Sequence, residues 1–329
     1  MTGKPKTGEF ERIARFFAPL SKPESGAFSL SDDAAVLDLS AGHRLVAASD
    51  TLVEGVHFFG DDPAADIALK LLAVNLSDFA AMGACPKTYL LNIALPDSID
   101  DNWLKAFSSG LAQGQGQYRV TLVGGDSVST HGPLTLSLTL LGEIPEGREL
   151  RRSGARDGDL IFVSGTIGDA ALGVKLRRGM LDGLVDEDRA WLLERYLRPI
   201  PRLALGRALS GLASAAIDIS DGLVSDLMHI CRASGLAAEL AAPAVPLSDG
   251  GRAALEADPA LVETVLTGGD DYELLFAVPQ DRAGEIGPLA SKLDLPLTRI
   301  GHFRAGEGVR VIDAMGDEIE IPSPGYRHF

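Results

Sequence analysis

Aspartates recur along this chain in short clusters flanked by glycine, serine, threonine or asparagine. The clusters are Ser31-Asp32-Asp33, Ser49-Asp50-Thr51, Asn75-Leu76-Ser77-Asp78, Gly124-Gly125-Asp126, Ile217-Asp218-Ile219-Ser220-Asp221-Gly222 and Gly268-Gly269-Asp270-Asp271-Tyr272-Glu273. Most follow an apolar or β-branched run, where a strand is expected to end. Carboxylates gathered at strand ends are typical ligands of hard divalent cations, and such cations commonly accompany phosphates in enzymes. The pattern therefore predicts a divalent-metal site that handles phosphate groups.

Asn75 and Asp78 lie in a segment whose other residues predict a buried helix face. A carboxylate among Leu72, Leu76 and Phe79 would be costly to bury without a partner. Metal ligation is the favoured explanation for the pair, and capping of a neighbouring helix is the structural alternative.

Asp218 and Asp221 stand on either side of Ile219-Ser220, just before Gly222 opens a predicted helix. Asp221 or Ser220 could be an N-cap, which leaves Asp218 at the strand end unexplained. The two carboxylates could instead bind one cation while the helix N-terminus meets a phosphate. Gly124-Gly125-Asp126 allows close approach of a ligand to the backbone, although a plain turn explains that motif equally well.

Two further polar features lie close to these clusters. A lone histidine such as His57 is more often structural, but its position shortly after the Asp50 cluster adds support for contact with a substrate phosphate. Arg151-Arg152 is a compact basic pair in a polar segment; an arginine there would suit a nucleotide phosphate, and a solvated surface pair is the alternative.

Familiar phosphate and hydrolase motifs are missing from the sequence. No GxxxxGK[ST], HExxH or GxSxG occurs, and Gly114-Gln115-Gly116 is followed by Arg119 where a dinucleotide fingerprint needs glycine. A Ser-His-Asp triad stays open. If phosphate binds, metals and backbone amides must do most of the holding.

Length and charge limit the classes of function. A chain of 329 residues is expected to form two domains. A formal net charge of −16 argues against a nucleic-acid partner and would repel a phosphate substrate, unless bound divalent cations invert the local field. On charge alone, solubility is the favoured explanation of this acidity.

Cysteine content and hydropathy predict a cytoplasmic protein. Cys85 and Cys231 are far apart and are expected to be small core residues in a reducing compartment, with no structural zinc. The N-terminus has no apolar signal core, and no run of about 18 apolar residues predicts a membrane span.

Hydrophobic periodicity predicts an α/β (α+β) chain with a domain boundary in the polar segment 145–159. The predicted helices are 9–18, 63–82, 100–111, 187–196, 202–212 and 222–233, with another opened by residues 165–169. The predicted strands are 44–49 (buried), 87–95, 120–125, 134–144, 160–164, 215–220, 272–278 and 309–313.

Taken together, the motifs resemble thiamine-monophosphate kinases, of the family shared with aminoimidazole ribonucleotide synthetase. The matching segments run through essentially the whole chain in order: Asp32–Ala35, Asp50–Phe58, Ala73–Ala84, Gly124–Asp126, Arg152–Ala155, Ala216–Leu223, Gly269–Leu274 and Gly325–Phe329. The segment Ala73–Ala84 and the aromatic C-terminus are specific, whereas Gly-Gly-Asp alone is not.

The resemblance implies a two-domain aminoimidazole ribonucleotide synthetase-like fold. Residues 1–147 would form a metal- and ATP-binding domain that pairs in a homodimer to build a shared β-barrel, and residues 148–329 would complete the nucleotide and substrate site. The implied activity is ATP-dependent phosphorylation of thiamine monophosphate to thiamine diphosphate, assisted by several Mg²⁺ ions.

Site residues are implied by the same resemblance. The implied metal ligands are Asp33, Ser49, Asp50, Asp78, Asp126, Asp218 and Asp221; ATP contacts are Asp33, Gly125, Asp126, Arg152 and Ser220; substrate contacts are His57, Asp270 and Tyr326. Three positions depart from the family pattern: Ser31 replaces a glycine, Asp270 stands where glutamate is common, and Ala48 stands where some members carry a hydroxyl.

The implied reaction agrees with the acidic composition. ATP and a phosphomonoester bring roughly six negative charges together, which several Mg²⁺ ions could neutralise and align. The attacking phosphate oxygen is already ionised at about pH 7, so no catalytic base is assigned. Tyr326 could stack on a thiamine ring, with a core or lid role as the alternative.

Three other functions remain open at the level of sequence. One is a synthetase of the same superfamily, although a selenophosphate enzyme should carry a reactive cysteine near its N-terminus and none precedes Cys85. The second is a regulatory protein that binds nucleotide or Mg²⁺ without turnover. The third is a metal-dependent phosphatase, which needs no acceptor.

Overall fold

The structure, a computed structural model, describes residues 9–22, 25–30, 34–321 and 325–326. Asp33, with its predicted metal and ATP contacts, lies outside the described residues, as do residues 327–329 of the aromatic C-terminus. The chain divides into two compact units: unit 1 is Met1–Leu76 with Cys85–Glu146, and unit 2 is Ser77–Ala84 with Gly147–Phe329.

Unit 1 combines one sheet with two long helices. The last residues of one of these helices, from Ser77 onward, belong to unit 2. Its regular elements are α1 (Glu9–Arg12), which continues as a π-helix (Ile13–Phe17) and a 3-10 helix (Ala18–Leu20), a 3-10 helix (Phe28–Leu30), β1 (His43–Val53), α2 (Ala64–Met82), β2 (Cys85–Leu95), α3 (Asp101–Tyr118), β3 (Thr121–Ser129) and β4 (Thr135–Pro145). Within the described residues the strands form a four-stranded sheet in the order β1-β4-β2-β3.

The two helices of unit 1 pack at very short range. A Cβ atom at Gly110 would lie 2.3 Å from the carbonyl oxygen of Ala65, and one at Gly114 would lie 2.5 Å from Leu72 Cδ1. Only glycine allows this approach of α3 to α2. The amide of Gln115 then donates to the hydroxyl of Tyr89 at 3.1 Å, which ties α3 to strand β2.

The prediction of a buried strand over 44–49 is wrong in two respects. The strand runs from His43 to Val53, and all of its residues except Leu52 are exposed or half-buried, with Leu45 62% exposed. It is an edge strand that pairs with β4 alone among the described strands. One long side of β1 therefore has no neighbouring strand among the described residues.

Unit 2 is built around a mixed sheet. Its elements are β5 (Leu160–Ser164), α4 (Asp169–Arg177), α5 (Asp186–Leu197), α6 (Leu203–Leu209), β6 (Ala215–Asp218), α7 (Leu223–Ser234), β7 (Ala237–Ala241), α8 (Asp249–Ala257), α9 (Leu261–Thr267), β8 (Leu274–Val278), α10 (Ile286–Leu293), β9 (Leu297–Arg304), β10 (Gly308–Ile312) and β11 (Glu318–Ile319), with 3-10 helices at Ala242–Ala244 and Gln280–Glu285. The described strands lie in the order β11-β10-β7-β9-β5-β8-β6.

Both faces of this sheet are covered. Along β5, Ile161 and Val163 join the core cluster that includes residues of α4, α5, α7, α8 and α9, whereas Leu160 and Phe162 join the cluster of α6, α10 and the end of α2. A strand buried on both faces is expected to be a continuous apolar run, as Leu-Ile-Phe-Val is.

The two cysteines differ in their exposure. Cys231 is buried as predicted, but Cys85 is exposed at the start of β2, so its assignment to the core is wrong. Among the helices of the described residues, none combines the length and the apolar character needed to cross a bilayer.

Arg119 ends α3 in the left-handed conformation, with φ +57° and its amide bonded to the carbonyl of Gln115. This conformation costs an L-residue about 1–2 kcal/mol, part of which glycine avoids. Arg119→Gly is expected to raise the free energy of unfolding by up to about 1 kcal/mol in urea denaturation.

Arg119→Ala is the matched control, because it removes the exposed side chain and keeps the backbone strain. It should leave the free energy of unfolding within about 0.5 kcal/mol of the wild-type value. Equal stabilisation by alanine and glycine would show that the side chain, and not the backbone, is responsible.

Candidate active site

Four residues after strand β6 form a tight turn, the 219–222 turn, that leads into α7. Asp218 is the last residue of the strand, and Gly222, with φ +121°, precedes the first residue of the helix. A Cβ atom at Gly222 would lie 2.5 Å from the carbonyl oxygen of Thr267, so the turn can pass that segment only with glycine here.

The amides of the turn converge on one buried carboxylate. Asp226 Oδ2 accepts hydrogen bonds from the amides of Ser220 at 3.0 Å, Asp221 at 3.0 Å and Gly222 at 3.2 Å. Burial, followed by the nearby charge of Asp218, raises the pKa of Asp226 to about 8. The sequence analysis did not single out Asp226.

The carbonyls of the turn hold two other segments. The carbonyl oxygens of Ile219, Ser220 and Asp221 accept hydrogen bonds, in that order, from the amides of Tyr272 at 2.8 Å, Asp270 at 2.9 Å and Tyr326 at 3.0 Å. The structure thus brings both unit-2 residues predicted to bind substrate, Asp270 and Tyr326, to the turn that carries Ser220 and Asp221.

Asp218 is the most deeply buried of the predicted metal ligands within the described residues, with 4% of its surface exposed. Burial raises its pKa, the neighbouring Ser77 hydroxyl and the charge of Arg152 lower it, and the charge of Asp221 raises it further. Asp78 adjoins Ser77 on the part of α2 that belongs to unit 2 and is half-buried. Carboxylate oxygens are the ligands that a hard cation prefers. A cation bound by Asp218 would also offset the cost of burying its charge.

His229 lies close to two of these carboxylates. Its ring nitrogen and the carboxylate oxygens of Asp221 and Asp226 lie within 4.8 Å of one another. Burial and the charges of Arg152 and Arg232 lower the pKa of His229. Asp226 and His229 are one helical turn apart on α7, a spacing that puts both on one face and is the signal that could have found them.

The loop of residues 268–273 carries Asp270 on a strained backbone. Asp270 has φ +73° and Tyr272 has φ +51°, and the Tyr272 hydroxyl donates to Asp270 Oδ1 at 3.1 Å. Aspartate tolerates the left-handed region better than most residues, whereas tyrosine there must be held by its surroundings.

Two buried acids anchor this loop. The carboxylate of Asp271 accepts from the amides of Gly168 at 2.7 Å and Ala170 at 3.3 Å. Glu273, which is fully buried, binds Arg195 Nη2 at 2.9 Å and Arg202 Nε at 2.6 Å. The Ser164 hydroxyl also donates to Glu273, at 2.6 Å.

Arg152 is exposed beside this group of residues. Its charge acts on both Asp218 and His229, which places it near the 219–222 turn. Arg151, by contrast, pairs with Glu149 at 2.5 Å on the surface.

In unit 1, the predicted metal ligands lie inside strands and not at strand ends. Ser49 and Asp50 are in β1, where Ser49 Oγ donates to the carbonyl of Leu138 at 3.0 Å. Asp126 lies in β3 and is exposed. Asp50 and Asp126 lie on the two edge strands of the described four-stranded sheet, with β4 and β2 between them.

The side chains of His57 and Asn75 both make hydrogen bonds within unit 1. His57 Nδ1 accepts from the amide of Val53 at 3.0 Å, so that nitrogen is used within the fold. Asn75 links α2 to β1, accepting from the amide of Asp50 at 3.1 Å and donating to the carbonyl of Leu71 at 2.9 Å. The Asn75 side chain therefore serves the packing of unit 1.

A largely apolar cavity of about 450 Å³ lies beside Gly124-Gly125-Asp126 in unit 1. Its other walls include Ile13, Phe17, Leu37 and Leu122. A pocket of this size can hold a flat organic ring system, with the glycines offering their backbone at one edge.

Family models agree with this architecture. The AIR synthase related protein, N-terminal domain, matches residues 31–144, and the AIR synthase related protein, C-terminal domain, matches residues 156–314. The fold and the site therefore define a two-domain AIR synthase-related protein.

Individual relatives show to which family within this class the chain belongs. Thiamine-monophosphate kinase of Salmonella typhimurium is 43% identical over 327 residues, 98% of each chain. The crystal structure of thiamine-monophosphate kinase from Stenotrophomonas maltophilia is 44% identical, with a TM-score of 0.80, over 86% of this chain and 89% of that one. The structure of AaThiL complexed with AMPPCP and TMP is 32% identical, with a TM-score of 0.78, over 100% of both chains. The chain belongs to the thiamine-monophosphate kinase family.

Glu273→Gln is expected to lower the free energy of unfolding by about 3–5 kcal/mol, because it leaves two guanidinium groups without their buried counter-charge. Urea or thermal denaturation measures the loss. Glu194→Gln is the control: its partner Arg198 lies 3.4 Å away in an exposed pair one helical turn apart. That change should cost less than about 0.5 kcal/mol. Similar losses in the two variants would contradict the anchoring role of Glu273.

Proposed function

We propose that this chain transfers the γ-phosphoryl group of ATP to thiamine monophosphate, giving thiamine diphosphate and ADP. The observation that carries the proposal is the 219–222 turn, where Ser220, Asp221, Asp270 and Tyr326 meet beside the buried Asp218. Family membership supports it, as does the full-length relative whose complex contains AMPPCP, an ATP analogue, together with TMP.

The reaction is a direct in-line displacement. A phosphate oxygen of thiamine monophosphate forms a bond to the γ-phosphorus as the bond from that phosphorus to the β-bridging oxygen breaks, and ADP leaves with the electron pair. The nucleophile is already ionised at about pH 7, so no residue need remove a proton. The chain's contribution is to bind and orient two phosphorylated molecules.

In unit 2, Asp78, Asp218 and Asp221 would hold Mg²⁺; in unit 1, Ser49, Asp50 and Asp126 would do so, with Asp33 as the proposed ligand outside the described residues. Bound Mg²⁺ would neutralise phosphate charge and polarise the transferred group. The donor set fits, because every one of these ligands offers oxygen and most are at least partly accessible.

The proposed nucleotide contacts follow from charge and shape. Gly125 and Asp126 border the apolar cavity of unit 1, which suits the base of ATP. Ser220 and the exposed guanidinium of Arg152 would bind phosphate oxygens in unit 2. Asp33 would add a contact from outside the described residues.

For thiamine monophosphate, Asp270 would bind the cationic part of the substrate and His57 its phosphate. Tyr326, which is 50% exposed, offers an aromatic face for stacking on a ring. Loss of that face in Tyr326→Leu would raise the KM for thiamine monophosphate more than the KM for ATP.

We also propose that the chain forms a homodimer through the sheet of unit 1. Edge strand β1 exposes Leu45, and edge strand β3 exposes Val128 at 51%. A second copy of the sheet would cover these apolar groups and pair the open strand edges. Sedimentation analysis that finds only monomer at micromolar concentration would overturn this part of the proposal.

The decisive test of the reaction is product analysis of the purified chain with ATP, Mg²⁺ and thiamine monophosphate. We expect thiamine diphosphate and ADP in equal amounts, and no product after chelation of Mg²⁺. ATP binding without turnover would favour a regulatory protein, and inorganic phosphate released without the acceptor would favour a phosphatase. Either outcome would exclude the kinase.

Asp78→Asn tests the proposed metal ligation. The variant keeps the size of the side chain and loses the charge, so we expect the rate at saturating substrate to fall at least about 100-fold and the half-saturating Mg²⁺ concentration to rise. Glu194→Gln removes the same charge from an exposed helix position and should leave both quantities unchanged. An unchanged Mg²⁺ dependence in Asp78→Asn would remove Asp78 from the ligand set.

A further inference from the structure

Asp226 makes an unusual number of backbone contacts for one carboxylate oxygen. Three consecutive amides of the 219–222 turn donate to Oδ2 at 3.0, 3.0 and 3.2 Å. The side chain is 2% exposed, so water cannot easily replace it as the acceptor. A buried amide that loses its acceptor is left unsatisfied, which is costly whether or not that acceptor is charged.

The same turn is in close contact with the segments that it holds through its carbonyls. A Cβ atom at Gly269 would lie 2.1 Å from the carbonyl oxygen of Ser220, and one at Gly325 would lie 2.7 Å from that of Asp221. With such contacts on one side and Asp226 on the other, the turn has little room to shift alone. A displacement of the turn would therefore also move Asp270 and Tyr326.

We propose that Asp226 is a positioning residue: through the three amides of the 219–222 turn it fixes Asp221 and, through the carbonyls, Asp270 and Tyr326 in one geometry. The inference rests on the proposed function, in which Asp221 binds metal and the other two bind substrate. Asp226 itself need not touch either. A misplacement of about 1 Å at such groups can cost about 100-fold in rate.

A positioning role for Asp226 and an ordinary helix-capping role lead to different experimental results. Loss of a cap lowers the stability of α7 and leaves the kinetic constants of the folded molecules unchanged. Loss of a positioning residue also changes the Mg²⁺ dependence and the KM for thiamine monophosphate. Stability and kinetics measured on the same variants therefore separate the two roles.

Two substitutions of Asp226 form the core of the experiment. Asp226→Leu has similar volume and no acceptor, and we expect kcat/KM for thiamine monophosphate to fall about 100-fold. Asp226→Asn keeps one carbonyl oxygen, and the three amides use only one oxygen. The kcat/KM of this variant for thiamine monophosphate should stay within about tenfold of the wild-type value. Amide hydrogen exchange over residues 219–222 should be faster in the leucine variant and close to wild type in the asparagine variant.

The chain offers a matched control in Asp313, between β10 and β11. One of its oxygens, Oδ1, accepts from the amides of Met315 at 2.8 Å and Asp317 at 2.9 Å, at the opposite edge of the same sheet from Asp218. Asp313→Leu removes the same kind of contact and should leave kcat/KM and the Mg²⁺ dependence unchanged. If Asp226→Leu does not fold, Asp226→Glu, which moves the carboxylate by one methylene, takes its place.

Faster exchange in Asp226→Leu with wild-type kinetic constants would overturn the inference, because Asp226 would then serve stability alone. An equal kinetic loss in Asp313→Leu would overturn it as well, because the effect would be general. A wild-type chain that forms no thiamine diphosphate would refute the proposed function separately. In that case the affinity for Mg²⁺ alone is measured by calorimetric titration instead of the kinetic constants. An Mg²⁺ affinity of Asp226→Leu equal to that of the wild type would overturn the inference.

Discussion

Unit 2 depends on how it compensates the burial of carboxylates, each of which would be prohibitively costly without partners. Glu273 is compensated by two arginines, and Asp271 and Asp226 by backbone amides. For Asp218, hydrogen bonding and the charge of the exposed Arg152 offset burial only in part, so the pKa of this carboxyl is raised. Glu273, Asp271 and Asp226 hold loops in place through these partners, although burial still raises the pKa of Asp271 and of Asp226.

Much of unit 2 could be predicted from periodicity, because a strand buried on both faces leaves an uninterrupted apolar run. Strand Leu160–Ser164 was predicted with its observed bounds for this reason. Strand Ala237–Ala241 was missed, because alanine has little intrinsic preference for a strand and the pairing with β9 and β10 decides its conformation. The exposure of Leu45 was also unpredictable, because a single sequence does not show which apolar strand has a covered face.

The candidate site was only partly visible in the sequence. Asp218 does end its strand as expected, whereas Asp50 and Asp126 lie inside strands that β-branched neighbours such as Thr51 and Val128 continue. Asp226 escaped notice because an acid in the first turns of an amphipathic helix is typical of a solvated face. Its importance comes from a turn that folds back over it, which no local pattern encodes.

The described residues near the candidate site offer little positive charge to the two phosphorylated substrates of the proposed reaction. Arg195 and Arg202 lie next to the 268–273 loop, but both guanidinium groups are paired with the buried carboxylate of Glu273. Arg152 adds one exposed guanidinium beside several carboxylates. Two phosphorylated substrates carry roughly six negative charges, far more than this supply can offset. Under the proposed function, divalent cations held by the carboxylates of this chain, whose net charge is −16, would supply the missing positive charge, and placing those carboxylates would then be the main task of the fold.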